Sequence, residues 1–231
     1  TLEGEDFLII KNVIESFNRV YTFFKTHAER TPSIQNKLAH LQKNKTVPDE
    51  IDRVLDRRGV VKTSASPALG KIRANLAKKR TAADRIFYRA VKKYSGSGIL
   101  ADTQESVHDN KRVLAVEGAF KGQVKGIFHG SSSKATIFYV EPSETLEINN
   151  EISVLEDEEK REVTRILRLL TVFVAGYKDE LRDYSTALCQ IDFVNAKALH
   201  ALDEEACLPQ LLDKPHVHLI KAINPVLREF N

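Results

Sequence analysis

The sequence predicts a mainly α protein with a small antiparallel β insertion, an α+β class made of long antiparallel lever helices, a β clamp at their tip and a helical core. Three observations carry this. Apolar residues recur at three- and four-residue spacing through most of the 231 residues. The period turns extended only between Ser95-Gly96-Ser97-Gly98 and Pro142. The helical segments flanking that island are too long for a domain of this size to enclose. With 42% hydrophobic and 29% charged residues the chain can bury a core and is no disordered tail. No apolar run approaches the roughly 20 residues that cross a bilayer, and the N-terminus has the acidic opposite of a signal peptide, so a cytoplasmic location is expected. The chain begins at Thr1 and contains no methionine, and it is expected to be a piece of a larger protein.

The elements follow in order. From Glu5 to His27, Phe7, Ile10, Val13, Ile14, Phe17, Val20, Tyr21 and Phe24 share one helical face. Thr31-Pro32 reads as a cap with proline at the first helical position, opening a short helix through Ile34, Leu38 and Leu41. Pro48 to Leu55 repeats the pattern, with Asp49 and Glu50 near the positive end of the helix dipole, and Gly59-Val60-Val61 is a turn and short extended link. Ser66-Pro67 caps a long helix whose seam is Leu69, Ile72, Leu76, Ala83, Ile86 and Ala90, interrupted by Lys79. The glycines at 96 and 98 end it. Strands are expected at Arg112 to Val116, Lys125 to His129 and Thr136 to Val140, with Asp109-Asn110 and Gly130-Ser131 as turns. Asn149 and Asn150 are expected to cap the returning segment, which runs to about Leu202 on a stripe from Val163 through Leu170, Val174, Tyr184 and Ile191. Unbroken, it would extend about 75 Å at 1.5 Å per residue. Gly176 marks either a kink or a break. Pro209, Pro215 and Pro225 interrupt the pattern, and His216 to Ile223 alternates as a strand would.

Charge is divided along the chain. Arg57 to Lys134 holds 17 Lys and Arg against 5 Asp and Glu, whereas Glu141 to Glu162 holds 9 acidic and 2 basic residues. Lys78, Lys79, Arg80, Arg85, Arg89, Lys92 and Lys93 lie on the first long helix, where they serve either as a solvated face partly neutralised by the returning helix or as a polyanion contact. Lys111, Arg112, Lys121, Lys125 and Lys134, beside Ser131, Ser132 and Ser133, are the candidate nucleic-acid-binding residues, because lysines, hydroxyls and loop amides all meet phosphate oxygens. Four or five such cations on phosphates predict a slope of log affinity against log salt of about −4 on duplex. Catalytic signals are weak. Gly130-Ser-Ser-Ser-Lys134-Ala-Thr136 lacks the second glycine and the following hydroxyl of a phosphate loop. Cys189 and Cys207 have no metal-ligand spacing, His216 and His218 have no nearby carboxylate or cysteine set, and Glu141 before Pro142 reads as an anchor. No catalytic or metal residues and no cofactor are assigned.

Gly126-Ile127-x-His129, Ser132, Tyr139-Val140-Glu141-Pro142 and Asn149-Asn150 together resemble the central signature of the MutS-two family, the MutS paralogues without a mismatch-reading domain. Ala65-Ser66-Pro67-x-Leu69-x-x-Ile72-Arg73, Arg161-Glu162-Val163-x-Arg165-Ile166-Leu167 and Asp192-Phe193-x-x-Ala196-Lys197-Ala198 agree with it, so the resemblance covers most of the chain. Gly130 stands where the family usually has Asp, Ala135 where it usually has Gly, and His108-Asp109-Asn110-Lys111 where it usually has an Arg-Asp-Gly-Arg type of turn. The resemblance implies a helical core (1–64), an ascending lever helix (65–98), a β-rich clamp (99–148), a returning lever helix and core (149–207) and the start of a link to an ATPase domain (208–231), which Ala222-Ile223-Asn224-Pro225-Val226-Leu227 would open. It makes Gly126, His129, Glu141, Pro142, Asn149 and Asn150 a structural motif. It further implies DNA or ribosomal RNA as partner, a homodimer in the full-length protein, and ATP, magnesium and nuclease chemistry in domains beyond this stretch, with links to suppression of homologous recombination and rescue of collided ribosomes. A helical scaffold for protein association, without nucleic acid, is the competing expectation.

Overall fold

The computed structural model describes residues 1–220 and 222–224. Among them are six α-helices, α1 (Gly4–Thr26), α2 (Pro32–Leu38), α3 (Thr46–Val54), α4 (Pro67–Ser95), α5 (Ser143–Ala175) and α6 (Lys178–Asp203), and four strands, β1 (Leu100–His108), β2 (Lys111–Glu117), β3 (Gly126–Ser131) and β4 (Ile137–Pro142). The α+β class is as the sequence predicts. The chain divides into two compact units, one of Thr1–Leu8 with Asp49–Ala175, the other of Ile9–Pro48 with the chain from Gly176 onward.

In the first unit α4 and α5 pair antiparallel. The seam residues Leu69, Leu76, Phe87, Ala90 and Tyr94 of α4 and Ile166, Leu170 and Val174 of α5 are buried. The charge division of the sequence becomes a ladder between them: Lys93 with Glu144 at 2.8 Å, Arg80 with Glu156 at 2.7 Å, Lys79 with Glu151 at 2.5 Å and Arg73 with Glu159 at 2.6 Å. Lys79, Arg80 and Lys93 are therefore paired with carboxylates of the returning helix, while their side chains stay at the surface. Such exposed pairs contribute about 0–1 kcal/mol each, so their main effect is to fix register. At the base, Ser66 caps α4 as expected: its Oγ accepts from the Leu69 N–H at 3.0 Å and donates to Glu162 at 2.7 Å.

The sheet is antiparallel, in the order β1-β2-β4-β3. One face covers a core of Phe87 and Tyr94 from α4 with Ile99, Leu114, Val116, Val124 and Val140. β1 and β2 turn through Asp109 and Asn110, both at positive φ, as a two-residue type I′ hairpin requires. β1 itself is absent from the sequence expectation, because its middle, Asp102-Thr103-Gln104-Glu105, is polar and its register shifts between Leu100 and Glu105, which destroys alternation. Gly130 and Ser131 belong to β3 rather than to a turn: the register shifts between Phe128 and Gly130, with Gly130 at φ 140°. The turn itself runs from Ser132 to Ala135.

Two further expectations are corrected and one open alternative is decided. α5 begins at Ser143, so Asn149 and Asn150 lie inside a helix and cap nothing. The returning segment is two helices, broken at Gly176 and Tyr177. Thr31 makes no capping bond to α2; its hydroxyl donates back to the His27 carbonyl at 3.0 Å. The second unit is built on α6, the body of α1 and α2. Tyr184, buried, stacks on Phe17 with ring centroids 4.0 Å apart, and its hydroxyl reaches the Gln42 carbonyl at 2.6 Å and the Glu180 carboxylate. Buried Asn44 bonds Asn18, Glu180 and the Val47 N–H. Beyond Asp203 the described chain is irregular, so no strand forms among the described residues of His216 to Ile223; Lys221 and the stretch from Pro225 lie outside them.

Candidate nucleic-acid interface

Where β4 hands over to α5, a fully buried carboxylate ties strand, sheet and helix together. Glu141 Oε1 accepts from Asn149 Nδ2 at 2.7 Å; Oε2 lies 2.7 Å from His129 Nε2 and 3.3 Å from Lys111 Nζ. Burial pushes this carboxyl up, but the bonds from Asn149, His129 and Lys111 outweigh it and hold the group below the usual carboxylate range. His129 Nδ1 stands 3.9 Å from Asp109, so the ring is bracketed by acids. Gly126 is required for close approach: a Cβ there would sit 2.0 Å from the Glu141 carbonyl oxygen. Pro142 opposes Gly126 in the ladder, at the last residue before α5. Gly126, His129, Glu141, Pro142 and Asn149 thus form one lock joining β3, β4 and α5, with Lys111 of β2 as a fourth attachment. Asn150 is exposed and takes no part in it.

The structure separates the strand cations into two groups. Lys111 belongs to the lock. Arg112 is clamped by Asp84 at 3.0 Å and Glu105 at 2.6 Å and lies over the rings of Phe87 and Tyr88 at 4.7 and 4.5 Å, fastening the β1–β2 hairpin to α4. Lys121, Lys125 and Lys134 are exposed, and none lies within ion-pair distance of a carboxylate among the described residues. Lys134 sits in the β3–β4 turn, flanked by exposed Ser131 and Ser133. Ser132 is committed to that turn, its hydroxyl accepting from the Ile137 N–H at 3.2 Å. Lys121 reaches the same end of the sheet, its Nζ 5.2 Å from the ring of Phe138, which pairs with Ser131. Lys125 stands at the opposite end of β3, about 20 Å away along a six-residue strand. The tip is therefore Lys121, Lys134, Ser131 and Ser133, with Lys125 as a detached cation near the lock.

Phe128 was not singled out by sequence. It is 49% exposed on edge strand β3 and meets Phe138 edge-on at 5.6 Å. Nothing local distinguishes it from a core strand residue; only the strand order puts it at an edge. Gly130 to Thr136, the weak likeness to a phosphate loop, is a bulge and hairpin turn leading into a strand, with no helix N-terminus to receive phosphate.

No protein-family model matches the chain. Among curated proteins it is similar to an Endonuclease MutS2 from Geobacillus sp. (strain WCH70), 26% identical over 230 residues, which is 98% of this chain and 29% of that protein. It is 34% identical to the Symbiobacterium thermophilum Endonuclease MutS2 over 181 residues, 78% of this chain and 22% of the relative, and 31% identical to that of Listeria innocua serovar 6a over 186 residues, 79% and 23%. The chain thus spans less than a third of the length of the curated relatives it matches. The likeness extends over nearly the whole of the α4–α5 pair, the sheet and the lock that joins them, and on that ground the chain belongs to the MutS2 family.

Proposed function

We propose that the tip of the sheet grips nucleic acid by its backbone, as the clamp of a MutS2-type protein whose ATP- and magnesium-dependent gating and nuclease chemistry reside in other domains. The observation that supports this is selective neutralisation. Lys111 and Arg112 are matched to the protein's own carboxylates, whereas Lys121, Lys125 and Lys134 are left unmatched, Lys121 and Lys134 at the end of the sheet that carries exposed Ser131 and Ser133 and Lys125 at its other end. Phosphates would supply the missing counter-charge irrespective of base sequence. The ligand is DNA, including branched recombination intermediates, with structured ribosomal RNA as the other source of the same phosphodiester chemistry. Suppression of recombination or rescue of collided ribosomes, carried out by a homodimer of the full-length protein, is the corresponding cellular role.

Titration of the chain against duplex, junction and ribosomal RNA ligands at several salt concentrations tests it. Three cations predict a slope of about −2.7 on duplex, shallower than the −4 expected when Lys111 and Arg112 are counted. Charge reversal at Lys121, Lys125 and Lys134 is expected to remove that component. Binding that ignores the reversal sinks the tip assignment. A second reading, protein association, rests on the outer part of α6, where Phe193, Leu199 and Leu202 are 64%, 54% and 75% exposed. Concentration-dependent sedimentation without nucleic acid would favour it.

A further inference from the structure

We propose that the outer face of α4 is a second phosphate-binding surface, a straight basic track that lies along the backbone of a nucleic-acid duplex and acts separately from the tip. α4 carries nine Lys and Arg and a single acid, Asp84, which is bound to Arg112. Four of the nine are neutralised by α5, as described. The other five, Lys71, Lys78, Arg85, Arg89 and Lys92, follow steps of seven, seven, four and three residues, which at 100° per residue places them within about 60° of one another. That stripe lies opposite the seam of Leu69, Leu76, Phe87 and Tyr94. All five are exposed, and none has a carboxylate within ion-pair distance among the described residues.

A merely solvated helix face mixes signs, and α5 provides the internal comparison. It carries eight Asp and Glu against four Lys and Arg, and two of those cations pair on their own helix, Lys160 with Asp157 at 3.5 Å and Arg165 with Glu162 at 2.7 Å, while exposed Arg161 and Arg168 have no ion pair among the described residues. On α4, by contrast, Arg85, Arg89 and Lys92 follow one another at i+4 and i+3, where like charges repel and destabilise an isolated helix. The residues between them on the stripe are short or uncharged: Ala74, Asn75, Thr81 and Ala82. The row extends about 31 Å from Lys71 to Lys92, close to one turn of B-form duplex at 34–36 Å. A straight, rigid row of unmatched cations of this length fits a stiff polyanion better than a small ligand. No apolar residue larger than alanine stands on the stripe, so a membrane surface would find little to bury there.

The test uses the chain carrying three changes on the track (K78E/R85E/R89E), three on the sheet, the two tip lysines with Lys125 (K121E/K125E/K134E, the tip variant), or all six, in fluorescence anisotropy with a 30-base-pair duplex between 0.05 and 0.2 M salt. The track variant is expected to lose affinity on the order of 100-fold at 0.1 M salt and to flatten the salt slope by about 2.7. The charge-conserving K78R/R85K/R89K variant is expected to bind as the unaltered chain does. Loss in the track variant with full binding in the tip variant upholds the track and overturns the tip reading. Unchanged affinity and slope in the track variant overturns the track, whatever the tip variant does. Equally tight binding of polyglutamate also overturns it, because the face would then serve an acidic protein.

Discussion

Truncating Glu141 to alanine isolates the lock. The carboxylate is fully buried and has three partners, so its removal strands the Asn149 amide, the His129 ring and the Lys111 ammonium. Breaking a buried charged network from one side costs about 3–5 kcal/mol. Lys111 and His129 keep 28% and 14% exposure, so water relieves part of that, and about 2–4 kcal/mol is expected here. For a chain of this length that lowers Tm by about 4–16 °C. Glu141→Gln keeps the bond from Asn149 but turns an amide donor toward Lys111, and about half the loss is expected. The pH dependence follows from the depressed native pKa: the stabilisation is present above the ordinary glutamate value of 4.5 and is lost as pH falls through the lower native value. Either substitution should flatten that acid limb. Urea and thermal unfolding followed by far-UV circular dichroism, with hydrogen exchange across β3 and β4, measures all of this. A Tm within about 2 °C of the unaltered chain for Glu141→Ala, or additive effects in a Lys111→Ala/Glu141→Ala cycle, would refute the lock.

Ser66→Ala removes both the cap of α4 and the bond to Glu162, with an expected loss of about 1–2 kcal/mol in a urea melt. Glu162 is held down to about 2 by Arg165 first and Ser66 second, so its pKa should rise in that variant; an NMR titration that leaves it unmoved contradicts the relay. Its contribution to stability is complete above about pH 4.5 and disappears between there and about pH 2, so the acid limb should also move upward. In the second unit, Tyr184→Phe keeps the stack on Phe17 but leaves the Gln42 carbonyl and the Glu180 carboxylate without the hydroxyl, for about 1–3 kcal/mol by chemical denaturation. Ala135 sits at φ 51°, so Ala135→Gly relieves about 1–2 kcal/mol of left-handed strain against a smaller entropic cost. A net gain of about 0.5–1 kcal/mol in a thermal melt is expected.

The helices were legible because they bury one face each: the spacing of Leu69, Leu76 and Ala90, or of Ile166, Leu170 and Val174, survives any tertiary arrangement. The α4–α5 ladder was half legible, since the charge division showed in the sequence, but which of Lys78, Lys79 and Arg80 meets a carboxylate depends on helical phase and register. β1 was invisible because a bulged edge strand needs neither alternation nor apolar residues in its middle. Asn149 looked like a cap because Asn competes with helix backbone, whereas in the fold its amide points to Glu141 and the helix had already begun at Ser143. The departures from the family pattern at the turns became intelligible as backbone geometry: Asn110 and Ala135 both hold positive φ at positions where the family usually has glycine. For the binding residues, sequence supplied the pool of cations but not the subtraction. Lys111 and Arg112 are as basic as Lys121 and Lys134, and only the carboxylates folded against them set the pairs apart.

The ion pair between Lys93 and Glu144 stands where the chain leaves α4 and where it returns into α5. Everything from Gly96 to Pro142 therefore departs from and comes back to one place, like a cartridge in a socket. A protein engineer could cut it there, close the gap with a few glycines and make Phe87 and Tyr94, which the sheet covers, polar, keeping the two-helix hairpin as a plain handle, or exchange the cartridge for one from a relative. Natural divergence has the same freedom: the head can drift in sequence and ligand while the seam that carries it stays under the constraints of packing alone.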